Sequence, residues 1–276
     1  MNLKRLDPSV SPGAAFGDQL RRSRNERGLT QDQLGQHLGC TGGHISGLET
    51  AVKSPGRKFA VKADAFFGTG LTFQILWQAI KNRALLEGFS EYLAEEARAT
   101  EIRMFELDVI PGPLQTPDYA AALASADVAR GLIDEKQASE RLALLAARQR
   151  RLLDGPAAPY IYIALNEACL RRVVGGRRVL VGQLDFVEDL ASRPKVTIQV
   201  APFSMGESRP FTVPIVLATL PDRRLAGYTE SEGSGYLQRD ADILSTWDRN
   251  YHRLQVGALS ELASLEMLRA VRKEIQ

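Results

Sequence analysis

The sequence is short of the residues on which nucleophilic and metal chemistry depend. Its 276 residues hold three histidines and two cysteines. Cys40 and Cys169 lie in different regions, which argues against a disulfide framework and fits a reducing, cytoplasmic setting. His37, His44 and His252 have no Ser or Cys motif beside them. Neither a Gly-x-Ser-x-Gly elbow nor a phosphate-cradling loop occurs, and Gly68-x-Gly70 is too short to serve as one. His37, Cys40 and His44 do not follow a zinc spacing and lack a fourth ligand. No catalytic residue, metal or cofactor is therefore expected. No apolar run is long enough to cross a bilayer, and no secretion signal opens the chain, so no membrane partner is expected. A Pro/Gly/Ser-rich linker is also missing, so the regions should be joined by helix rather than by loose chain.

The contents are those of an ordinary globular protein, 44% hydrophobic and 25% charged, and long enough for two domains. Charge is unevenly placed. Residues 1–82 hold 11 Lys/Arg against 6 Asp/Glu, and the remainder holds 24 against 27. A basic amino-terminal module on a mildly acidic body fits nucleic-acid binding by the first and partner binding or sensing by the second.

Residues 29–49 carry the clearest pattern. Thr30 is an N-cap with Gln33 as its capping-box partner. Leu34 and Leu38 mark one apolar face, and Gly39 allows the chain to turn. Thr41 caps a second helix whose inward residues are Ile45 and Leu48. Helix, tight turn, helix is the unit that offers its second helix to the major groove. Around it the spacing predicts a mobile arm over 1–12 that includes Lys4 and Arg5, a helix over 13–27 ended by Gly28, a helix through Phe59, Ala63, Phe66 and Phe67, and another over 71–82.

Leu-Thr-Gln-x-x-Leu, Gly39, Ile45-Ser-x-Leu-Glu49 and Pro55 together resemble the XRE-type, phage-repressor-like helix-turn-helix domain. The resemblance implies that Glu49 braces its helix against the following loop and that Gln31 approaches a phosphate. It implies that the amino-terminal half of the second helix, whose remaining polar groups are Thr41, His44 and Ser46, faces base edges, and that Lys53, Arg57 and Lys58 approach the backbone. Gly42, Gly43 and Gly47 stand where that family usually carries contacting side chains, and Ala51 stands where it usually has Gly.

Beyond residue 82 the pattern predicts a helix over 81–96 and a strand over 102–107. Thr116 caps a helix that starts at Pro117, and a long helix spans 134–153. Strands follow over 160–165, 195–201, 212–220 and 226–229. Helices are expected over 167–173, 179–191, 243–254 and 261–273, and Ser231–Gly235 reads as a flexible loop. The segment Ile110-Pro-Gly-Pro-Leu-Gln-Thr-Pro-Asp-Tyr-Ala120, with Asn166-Glu-Ala-x-Leu-Arg171, Val196-Thr-Ile-Gln-Val-x-Pro-Phe203 and Tyr228-x-Glu230, resembles a large actinobacterial group of XRE regulators with a carboxyl-terminal domain of unknown function. That group includes developmental and antitoxin-like regulators. The resemblance implies transcriptional regulation with a small protein partner encoded nearby.

The expected fold is mainly α with a smaller β component (α+β). A five-helix helix-turn-helix domain over 13–82 precedes an α+β domain with a small sheet over 83–276. Double-stranded DNA is the expected partner, and a homodimer is expected because paired half-sites add affinity. Arg148, Glu167, Arg171, Phe203 and Glu230 form the candidate ligand or partner pocket. Glu167 and Glu230, each at a strand end, are candidate paired carboxylates, with salt bridges to Arg148 or Arg171 as the alternative. The competing function is a repurposed helix-turn-helix protein whose carboxyl-terminal domain binds or converts a small molecule.

Overall fold

The computed structural model describes residues 12–81, 88–231 and 234–276. The expected arm, apart from Pro12, and the expected boundary at 82/83 lie outside these residues. Five helices come first: α1 (Pro12–Glu26), α2 (Gln31–Leu38), α3 (Gly42–Glu49), α4 (Arg57–Phe67) and α5 (Thr72–Lys81). They close around Phe16, Leu20, Leu34, Ile45, Leu48 and Phe73, all fully buried. Each such side chain contributes about 1.5–3 kcal/mol through removal from water. The ring of Phe16 meets that of Phe73 edge-on at 5.4 Å.

This core does not end with α5. It continues through Leu93 and Ala94 of α6 (Phe89–Glu96) and through Leu144 and Ala147 of α8 (Glu135–Asp154). The single helix expected over 81–96 is corrected. α6 starts at Phe89, after Gly88, which takes a left-handed φ of 84°. A side chain at Gly88 would collide with the Gly235 carbonyl.

A six-stranded sheet follows, in the order β3-β2-β1-β4-β5-β6. β1 (Glu101–Glu106), β2 (Tyr160–Asn166) and β3 (Val196–Ala201) run parallel. β4 (Ile215–Thr219), β5 (Leu225–Ser231) and β6 (Ser234–Gln238) extend the sheet antiparallel from β1. Alternation of side chains divides the sheet into two faces. Ile102, Ile161, Ile163, Val196 and Ile198 face α7 (Pro117–Ala129), α8, α10 (Arg177–Ala191) and α12 (Glu261–Ile275). Phe105, Ala164, Ile215 and Leu217 face α11 (Ala241–Gly257). The fold is α+β, as the sequence suggests, with a larger sheet than expected. The added strand is β6, which overlaps the expected loop. Its Gly235 has no room for a side chain, because a Cβ would collide with the Tyr228 hydroxyl.

Candidate nucleic-acid interface and a cavity at the sheet end

The two helices of the turn are fixed by their own caps. Thr30 accepts from the Gln33 N–H while the Gln33 side chain accepts from the Thr30 N–H. Gly39 turns the chain at φ 75°, and Thr41 accepts from the His44 N–H. Glu49, with no exposed surface, ties the unit together. Its carboxylate receives Arg24 Nε at 2.5 Å, Arg24 Nη2 at 3.0 Å and Gln31 Nε2 at 2.9 Å. Arg21 lies 3.6 Å away and donates to the Glu49 carbonyl. Glu49 thus joins α1, α2 and α3. The Gln31 amide is held by this network, so its side chain braces α2 against α3.

α3 packs on α1 and α2 and leaves its outer flank open. Thr41 and Gly43 are exposed, and His44 and Ser46 are half-buried. The His44 ring meets Phe59 edge-on at 6.0 Å, whereas His37 stacks on Phe66. Separate aromatic partners thus hold the two rings, and burial pushes the nearby Cys40 thiol up, against the opposing pull of Lys62. The glycines differ from one another. Gly42 is buried, and a side chain there would displace the Asp32 carboxylate and press on the Asp32 backbone, so glycine suits the close packing of α2 on α3. Gly43 faces open space. Gly47 makes room for the stem of Lys53, which a Cβ would meet at 2.8 Å. Lys53, Arg57 and Lys58 are exposed beside this flank, with Arg57 opening α4.

A second feature is a cavity of about 520 Å³ at the end of the sheet. Its floor follows from strand register. Met104, Val216 and Tyr228 form one cross-strand row. Phe105, Ile215 and Thr229 form the next, facing the other way. One residue further, Glu106, Pro214 and Glu230 return to the face of the first row. All six residues of the two rows that share this face line the cavity. Phe89 and Tyr92 of α6 and Arg148 of α8 form a wall, and Leu107, Asp108 and Val109 lead into the Ile110–Gln115 segment, which forms another. That segment is held rigidly. Gln115 Nε2 donates to the Ile110 carbonyl at 2.7 Å, and Gln149 Nε2 to the Gly112 and Gln115 carbonyls at 3.1 and 2.5 Å. Gln183 accepts from the Thr116 N–H and donates to the Leu114 carbonyl.

The charges in and around the cavity are unequal. Arg148 donates through Nε and Nη2, one edge of its guanidinium, to the buried Glu96 at 3.1 and 2.6 Å, and lies over the Phe89 ring. Burial disfavours the Glu96 charge, but Arg148 outweighs it and holds the carboxyl below its usual range. Tyr92 donates to Glu96 at 2.8 Å and stacks on Tyr228 at 4.6 Å. Burial pushes the Tyr228 hydroxyl up, and it donates to Glu230 at 2.9 Å. Glu106 is recessed, and burial together with the facing Glu230 raises its pKa to about 8.

The five expected pocket residues fall in two places. Arg148 and Glu230 line the cavity, whereas Glu167, Arg171 and Phe203 do not. Glu167 opens the short helix α9 (Glu167–Arg171), pairs with Arg171 at 2.7 Å and accepts from the Phe203 N–H at 3.0 Å. The Phe203 ring is 55% exposed. The Glu167–Arg171 bridge agrees with the salt-bridge alternative, but Arg148 pairs with Glu96 rather than with either candidate carboxylate. The carboxylate that faces Glu230 is Glu106, which sequence reasoning missed. Its signal was an acid closing a strand just before the Pro-Gly segment. Among the described residues no group of three or more His, Cys, Asp or Glu is placed to hold a metal ion, and no helix is long and apolar enough to cross a membrane.

Two family models match the chain. Residues 89–270 match a domain of unknown function (DUF5753), and residues 15–72 match a helix-turn-helix domain. Comparison with curated proteins and with solved structures finds no match.

Proposed function

The chain belongs to the DUF5753 family and carries a helix-turn-helix domain ahead of the family segment; from that premise we propose that it is a cytoplasmic DNA-binding transcriptional regulator. In this reading residues 13–82 are the DNA-contacting unit. Residues 83–276 receive a ligand or a small protein partner and carry self-association as a homodimer. The observation that carries the proposal is the open outer flank of α3, with exposed Lys53, Arg57 and Lys58 beside it.

Contacts to phosphate dominate over contacts to bases. Lys53 and Arg57 supply charge, the α3 N-terminus adds its N–H groups and partial positive charge, and Thr41, His44 and Ser46 are the side chains nearest a groove. Glycine at 43 and 47 offers no donor to a base edge, so binding is expected to be sensitive to salt and only modestly selective for sequence. Gel-shift titration against the DNA upstream of the coding sequence, at 50 and 200 mM salt, tests this. Binding at low salt that weakens steeply at high salt is the expected result. A folded chain that shifts no duplex at low salt refutes it.

The competing reading, a repurposed domain whose body binds a small molecule, draws on the same glycines and on the cavity. Ligand binding without any DNA binding would favour it.

A further inference from the structure

We propose that the cavity at the sheet end binds an organic cation, a protonated amine on an apolar body, with the ammonium held between Glu106 and Glu230. The proposal gives a chemical class to the ligand-receiving half of the proposed function, and it stands whether or not the chain binds DNA.

The volume of about 520 Å³ falls within the usual range for small-molecule sites. Most of the wall is apolar, built from Met104, Val216 and Phe89 with Pro111, Pro113 and Pro214. An occupant with an apolar body would gain burial there. The Ile110–Gln115 segment is already fastened by Gln115 and Gln149, so little ordering is required on binding.

Charge decides which head group the site accepts. Arg148 and Arg172 are the cations to consider. Arg148, from α8, is held through Nε and Nη2 by Glu96, whose buried carboxylate balances its charge. Arg172, just past α9, pairs with Asp108. Tyr228, on β5, is a neutral donor to Glu230. Cys169, on α9, donates to the Glu106 carbonyl, and burial keeps its thiol protonated. Glu106 and Glu230 therefore face each other with no ion pair to either among the described residues. Burial and the Glu230 charge favour the protonated form of Glu106. A cation between them removes that conflict. A neutral head leaves it in place, and an anion worsens it.

Isothermal calorimetry and thermal shift at pH 7 with 4-phenylbutylamine, 4-phenylbutanol and 4-phenylbutyrate test the assignment. The amine is expected to raise Tm and to bind at least about tenfold more tightly than the alcohol, about 1.4 kcal/mol, with no binding of the carboxylate. Amine binding also expels the Glu106 proton, so the measured heat should change with the ionisation enthalpy of the buffer. The double variant Glu106→Gln, Glu230→Gln keeps the shape, should fold, and should bind amine and alcohol equally. The proposal is overturned if the folded chain binds no amine, if alcohol or carboxylate binds as tightly, or if the double variant keeps the preference. A Lys53→Ala, Arg57→Ala chain should bind DNA more weakly and keep the amine, so failure of one reading is separable from failure of the other.

Discussion

Ala51 holds a left-handed backbone, with φ at 56°. An L side chain costs about 1–2 kcal/mol in that region, whereas glycine adopts it freely. Replacing it enlarges the unfolded ensemble by about 0.4–1 kcal/mol, which offsets part of the gain. Ala51→Gly is therefore expected to stabilise the chain by about 0.5–1 kcal/mol, seen as a higher urea midpoint at unchanged slope. Glu106 makes the opposite kind of demand. The folded chain keeps its proton up to about pH 8, against an ordinary value of 4.5. Between those limits the folded state holds more protons than the unfolded one, so this residue lowers stability as pH rises. Glu106→Gln stays neutral throughout. Its Tm advantage over the parent should widen from pH 5 to pH 8, and a constant gap would show that the carboxyl is ionised normally.

At the scale of elements, α1, α2 and α3 are joined through one buried carboxylate. Glu49→Ala leaves Arg24 and Arg21 facing each other without a counter-charge and frees the Gln31 amide. Removing one partner of a buried pair costs about 3 kcal/mol or more. Chemical denaturation should show that loss, and it should exceed the effect of Gln31→Ala, which gives up one hydrogen bond worth about 1 kcal/mol. The elements themselves were largely legible in the sequence, because caps act within three or four residues. Thr30 with Gln33, Gly39, Thr41, and Thr116 with Pro117 all mark the ends they were read to mark. β6 was not legible, since its Gly235 answers to a tyrosine on the neighbouring strand rather than to any local turn. The facing of Glu106 and Glu230 was hidden for the same reason. Alternation shows which way a strand's side chains point, but only the pairing of β1 and β5 on either side of β4 shows which strands are neighbours. Glu167 looked equivalent to Glu230 in sequence, yet α9 and Arg171 take it elsewhere.

At the scale of the molecule, the DNA reading makes a quantitative demand. Each phosphate contact contributes about 0.9 to the slope of log K against log salt. Lys53→Ala with Arg57→Ala should flatten that slope by about 1.8 without lowering Tm, because both side chains are exposed. A slope that stays the same would move the contact surface away from the loop after α3. The body also bears on the amino-terminal helices directly. α8, about 30 Å long at 20 residues, sends Leu144 and Ala147 into their core and turns Arg148 toward the cavity. Because Leu93 and Ala94 share that core, residue 82 is no clean seam for protein engineering. A chimaera that exchanges reading heads between relatives has to carry matching faces of α6 and α8 with the graft, or it leaves the flank of α5 bare to water.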